Sequence, residues 1–229
     1  MKRHFIILLF WGWAAALQAQ DAPVRQIDTV HITNSVVRMK NKGLYDMPES
    51  NPVADIGGFS ALQLFDEGMG SEIWVSKESQ CVVVSRETVK PATGEYCMHA
   101  KWDKIAGGCK WIGMGFGWDN WQPKDLSGII DSACIQLMIR SQTDTLKSLP
   151  LALALEDYTG AQCFIGFSPK YLNGKRIMPG GWIPALIPLS DFPFERFQTQ
   201  PDMIKQFIIQ FEADGDVYFD NIKLVRKGR

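Results

Sequence analysis

The sequence predicts an all-β fold, a two-sheet antiparallel β-sandwich, and three observations predict it. Short β-rich runs recur from Ala54 onward with turn chemistry between them, the pattern of a sandwich or barrel. Several of these runs alternate a wholly apolar face with a face of small, amide or carboxylate residues. No run of helical period is longer than two turns.

The N-terminal region reads differently. Lys2, Arg3 and His4 form a basic start, Phe5 to Leu17 is apolar, and Ala19 ends a small-residue region. That is the layout of a secretory signal peptide over residues 1–19, too short to span a membrane. No cysteine follows the expected cut, so the chain is expected to be exported to the periplasm or medium and not to be a lipoprotein. Residues 20–53 read as an extension and linker. Val30, Ile32, Val36 and Val37 suit one strand there, and Lys40 to Pro52 is polar and turn-rich.

The remainder, residues 54–226, reads as one domain. The first runs are Ser60–Phe65, Glu72–Ser76, Cys81–Glu87 and Tyr96–Trp102, with Pro91 and Gly94 supplying a hairpin connection over Lys90–Gly94. Next comes Trp111–Trp118, in which Gly113, Gly115 and Gly117 alternate with Ile112, Met114, Phe116 and Trp118. Successive strand residues point to opposite faces, so one face is packed and the other bare. Parity assigns Trp118 to the core. Glycines in a strand mark close approach of something else, and the bare side is expected to be a hollow with Trp111 at its rim.

In Ala133–Arg140, Ile135, Leu137 and Ile139 oppose Gln136, Met138 and Arg140. In Leu151–Glu156 three leucines oppose Ala152, Ala154 and Glu156. Cys163–Phe167 and Trp182–Leu189 follow. In Gln206–Glu212, Phe207, Ile209 and Phe211 oppose Gln206, Ile208, Gln210 and Glu212, after a short helical turn expected over Asp202–Gln206. Val217–Val225 closes the chain. The runs Ala133–Arg140, Leu151–Glu156 and Gln206–Glu212 read as one sheet of the sandwich, packed inward and polar outward.

Bulk properties exclude several classes. Removing residues 1–19 takes Lys2 and Arg3 and no acidic residue, so the formal charge moves from −1 to −3. No basic block or stripe remains, which argues against nucleic acid as a partner, and no later segment is apolar enough for membrane insertion. The five cysteines lack CxxC spacing and several sit in apolar strand patterns, so they are expected to be mostly reduced and buried. No paired-glutamate array of a glucanase, no phosphate-binding loop and no zinc spacing is present. Cys97 and His99 share a strand face, but nothing else supports a nucleophile pair.

Two stretches carry a family resemblance. One is Asp125-Leu-Ser-Gly128 leading into Ala133–Arg140. The other runs from Trp182-Ile-Pro through Ile187-Pro-Leu-Ser-Asp-Phe192 to Asp216-Val-Tyr-Phe-Asp-Asn-Ile-Lys-Leu224. Together they resemble the galactose-binding-like jelly rolls, in particular family-11 carbohydrate-binding modules and the complex I intermediate-associated protein family. The resemblance covers residues 54–226 and implies a jelly-roll topology. It also implies a structural calcium, with Glu67 and Asp220 at the matching positions; two ligands alone make no calcium site.

A glycan site needs flat rings to stack on sugars and polar side chains to bind hydroxyls. The candidates for stacking are Trp111, Trp121, Tyr158, Tyr171 and Trp182. Those for hydrogen bonding are Gln136, Arg140, Glu156, Gln210 and Glu212. The function expected is a non-catalytic module that holds a polysaccharide or oligosaccharide on the concave sheet face. The alternatives are an adaptor that docks on a partner protein and a polysaccharide-degrading enzyme with an unrecognised site.

Overall fold

The computed structural model describes residue 56 and residues 62–67, 72–118 and 121–228. The expected signal peptide and the extension strand lie outside these residues. Among the described residues, eleven strands form where eleven β-rich runs were read. They are β1 Gln63–Phe65, β2 Ile73–Val75, β3 Val82–Glu87, β4 Cys97–Asp103, β5 Gly113–Gly117, β6 Ala133–Ser141, β7 Leu151–Asp157, β8 Gln162–Gly166, β9 Ile183–Pro188, β10 Ile204–Phe211 and β11 Asp214–Arg226.

They build two antiparallel sheets. In the first, the order is β3-β4-β11-β6-β9, with β1 also paired to β11. In the second, it is β2-β5-β10-β7-β8. The sheets pack through their apolar faces. Met114 and Phe116 of β5, the three leucines of β7 and the phenylalanines of β10 are almost wholly buried. They meet Met98, Ala100 and Trp102 of β4, Ile135, Leu137 and Ile139 of β6, and Val217, Phe219, Ile222 and Leu224 of β11. Trp102 crosses between the sheets to stack on Phe211 at 4.6 Å, and its Nε1–H donates to the Glu212 carbonyl. Each large side chain buried this way contributes about 1.5–3 kcal/mol relative to exposure.

Four readings change. The turn expected over Asp202–Gln206 is a 3-10 turn over Pro201–Met203, and the strand has begun by Ile204. A single helical turn, α1 (Phe194–Phe197), was not read from the sequence, because four residues carry too little period to see. Cys81 and Cys109 form a disulfide, while Cys97, Cys134 and Cys163 are free and buried. The bridge joins the start of β3 to the segment before β5, a pairing that sequence spacing does not encode. Finally, β6 belongs to the first sheet and β7 and β10 to the second, so strands with similar alternation face opposite sides of the molecule.

Candidate functional site

Strand register sets out the outer face of the second sheet as three parallel rungs. The first runs Gly113–Gln210–Ala152–Gly166. The middle rung runs Trp74–Gly115–Ile208–Ala154–Phe164. The third runs Gly117–Gln206–Glu156–Gln162. Paired residues share a face, so every side chain in these rungs points away from the core.

The glycine face is not a hollow: three indoles fill it. A Cβ at Gly113 would come within 3.0 Å of the Trp111 ring, one at Gly115 within 2.3 Å of Trp74 Nε1, and one at Gly117 within 2.6 Å of Trp121. The glycines therefore let three tryptophans lie against the backbone of β5, where any larger residue would lift them. Trp111 and Trp74 lie 5.8 Å apart with planes inclined by 28°. Trp121 sits in the turn after β5 with φ of +63°, a backbone shape rare for a bulky residue, and its ring returns over Gly117. Trp111 is 43% exposed, while Trp118 is wholly buried.

Two of the indoles are held by their edges. Trp74 Nε1–H donates to Gln206 Oε1 at 2.6 Å, and Trp111 Nε1–H donates to Gln210 Oε1 at 2.9 Å. Gln210 in turn donates to Glu212, which is paired with Lys104. At the other end of the row, Lys205 Nζ lies 3.0 Å from Glu156 Oε1 and 6.0 Å from the Trp121 ring centroid. Gln162 donates to the second oxygen of Glu156. The register of β10 slips between Ile204 and Gln206, a local irregularity beside Lys205. Each end of the indole row thus carries a lysine–glutamate pair, and these pairs leave no net charge.

Of the sequence candidates, Trp111, Trp121, Glu156, Gln210 and Glu212 come together on this face. Tyr158 follows β7 in an exposed turn, with its N–H on the Met203 carbonyl. Gln136, Arg140 and Trp182 do not join them, because β6 and β9 lie in the other sheet. Arg140 lies 3.8 Å over the Tyr218 ring and 5.2 Å from that of Trp182, and donates to the Val89 carbonyl. Trp182 donates to the Lys90 carbonyl. Tyr171 is 5% exposed and packs edge-on to Phe167, which leaves no ring face for a ligand. Sequence reasoning missed Trp74, Lys205 and Gln162. Trp74 was legible: it stands between Ile73 and Val75 in an alternating run, with the parity of an outward residue.

Glu67 and Asp220 both reach the loop before β4. Glu67 Oε2 accepts from the N–H groups of Glu95 and Tyr96, and Asp220 Oδ2 from those of Ala92 and Thr93. Burial pushes the Asp220 carboxyl up to about 6, against three backbone hydrogen bonds that lower it. Glu67 Oε1 is buried without a hydrogen-bond partner. Among the described residues no group of three or more His, Cys, Asp or Glu side chains is arranged to hold a metal. An open cleft of about 830 Å³ between Ile130, Phe192, Phe194 and Pro201 includes none of the indoles. A flat stacking surface encloses little volume, so the cleft does not displace the indole face as the candidate site.

This sandwich, with a row of indoles on one outer face, two of them edge-anchored, defines a carbohydrate-binding module. The chain belongs to the family described as carbohydrate binding domain 30, which matches residues 61–226. It is similar in fold to a family 30 carbohydrate-binding module, with a TM-score of 0.59 and 14% identity over 73% of this chain and 88% of that one. It is also similar to the family 30 module of a cellulosomal cellulase of Clostridium thermocellum (TM-score 0.50, 14% identity, 73% of this chain, 94% of that one). An exo-beta-agarase contains a similar fold (TM-score 0.52, 16% identity, 73% of this chain), and the match spans 26% of that longer chain. No curated protein matches the sequence. The motifs had pointed to family-11 carbohydrate-binding modules and the complex I intermediate-associated protein family.

Proposed function

We propose that this module binds a neutral, extended, β-linked polysaccharide with the indole row Trp111–Trp74–Trp121 as its stacking surface. The observation that carries the reading is that three indoles gather on the outer face of one sheet, two of them anchored through their N–H groups, with Trp111 still 43% exposed. Sugars in a β-linked chain present flat apolar faces, and these suit a surface of rings. Gln206, Gln210, Glu156 and Lys205 flank the row and supply donors and acceptors for hydroxyls. Affinity is expected to be weak to moderate, since a shallow wet site gains little net free energy per hydroxyl. Affinity electrophoresis in gels containing mixed-linkage β-glucan, xylan or agar polysaccharide tests this. Retardation of the native protein that disappears in Trp111→Ala, with the fold intact, is the expected result. Equal mobility of the two proteins in every gel overturns it.

The proposal includes export through residues 1–19. N-terminal sequencing of protein recovered from the cell exterior should begin at Gln20. It also includes a structural calcium. Glu67 and Asp220 fit such a role, since they tie one loop and Glu67 Oε1 is left without a partner. Asp66, bonded to Thr93 Oγ1, stands beside them. A bound calcium would supply positive charge against the buried Asp220 carboxylate, and backbone oxygens would complete its shell. The melting temperature should then rise on adding calcium and fall with a chelator; an unchanged melting curve removes the ion from the account.

A further inference from the structure

The middle rung of the second sheet does not end at the indoles. It runs from Trp74 through Gly115, Ile208 and Ala154 to Phe164 on β8, the opposite edge strand. α1 packs against β8 and sets Phe197 edge-on to Phe164, with centroids 6.1 Å apart. Phe197 is 37% exposed and Phe164 half-buried, whereas Phe194 of the same helical turn is buried. Beside this pair, the third rung is polar from Gln206 through Glu156 to Gln162. At Gly166 the face is open, with nothing within 4 Å of where a Cβ would stand.

From this layout we infer that the glycan face continues across the sheet to a second aromatic subsite, formed by Phe164 and Phe197. Its occupant is the far part of a linear chain that crosses the strands and rests on the indole group only at its near end. The inference rests on the glycan reading of the indole row, and its support is continuity with that row. Four strand intervals separate β2 from β8, roughly 19 Å at the usual spacing. A chain crossing that width meets rings at both ends and amide and carboxylate groups between them. A short oligosaccharide fills only the indole end, so the phenylalanine pair acts as a chain-length reader.

The test is calorimetric titration of the native protein, Trp111→Ala, Phe197→Ala and Phe164→Ala with β-1,4-linked gluco-oligosaccharides, one a trisaccharide and one a hexasaccharide. Circular dichroism and melting curves check each variant. Phe197→Ala removes an exposed ring and is expected to fold normally, so it carries the test if Phe164→Ala does not fold. The expected result for Phe197→Ala is a loss of about tenfold for the hexasaccharide and none for the trisaccharide. Trp111→Ala should weaken both. Native-like binding of both sugars by Phe197→Ala overturns the second subsite and leaves the indole row standing. Equal losses for both lengths also overturn it, since the ring would then be acting on the indole end. If the native protein binds neither sugar, the second subsite fails as a reader of β-1,4-glucan length; if Trp111→Ala binds both normally, the glycan reading of the row fails, and the second subsite fails with it.

Discussion

Both sheets carry aromatic rings on their outer faces, and they use them in opposite ways. On the first sheet, Tyr218 is stacked on His99 at 4.5 Å and lies beneath Arg140, so its faces are spent inside the protein and it is 5% exposed. On the second, Trp74 and Trp111 stack on one another and are anchored through their N–H groups by glutamines, and Trp111 still keeps 43% of its surface exposed. A ring serves as a ligand surface when its anchors leave part of it in solvent. Clasped until almost nothing is exposed, an aromatic residue is a strut. An inventory of aromatic residues does not separate the two.

Four substitutions break or sharpen that contrast. Gly115→Leu should lift Trp74 off β5 and weaken glycan binding by about thirtyfold or more, the scale of an interface hot spot. Gly166→Ala, which meets nothing nearby, should leave affinity unchanged in the same titration. On the first sheet, Arg140→Met should leave glycan affinity unchanged and lower unfolding free energy by about 1–3 kcal/mol in urea, because it strips a charged hydrogen bond to the Val89 carbonyl and the cation stacked on Tyr218. Gln210→Met should weaken binding about threefold to tenfold by freeing Trp111 to turn, with a shift in tryptophan emission before any sugar is added.

The smallest effect concerns pH. Burial raises the Glu212 carboxyl, but hydrogen bonds from Lys104 and Gln210 and the nearby ammonium charge outweigh this and hold it below its ordinary 4.5. A carboxylate held low in the fold stabilises it above the ordinary value and loses that contribution as pH falls through the folded one. The anchoring of Trp111 should therefore weaken in acid below about 4.5. Emission followed against pH should show this step in the native protein and not in Lys104→Met.

Much of the fold was legible because period and parity are local. Each of the eleven strands falls within, or within three residues of, a run with strand alternation, and Trp118 was placed in the core by parity alone. Which strands share a sheet was not legible. Gln136 on β6 and Gln210 on β10 have the same local pattern, and only long-range pairing sends them to opposite sides. The glycines of β5 were read as leaving room for a ligand. The room exists, but Trp74 from β2 and Trp121 from a later turn occupy it, because flat rings gain more by lying on bare backbone than by standing in water. Trp182 and Tyr171 misled because exposure depends on neighbours remote in sequence: the Lys90 carbonyl and Arg140 for one, Phe167 for the other.

The most direct test compares two tryptophans that stand with different sheets, Trp74 on β2 and Trp182 just before β9. Calorimetric titration with mixed-linkage β-glucan should show Trp74→Ala losing about tenfold or more in affinity, while Trp182→Ala binds as the native protein does. Loss of binding in Trp182→Ala with Trp74→Ala unaffected would contradict the account and move the glycan to the other sheet.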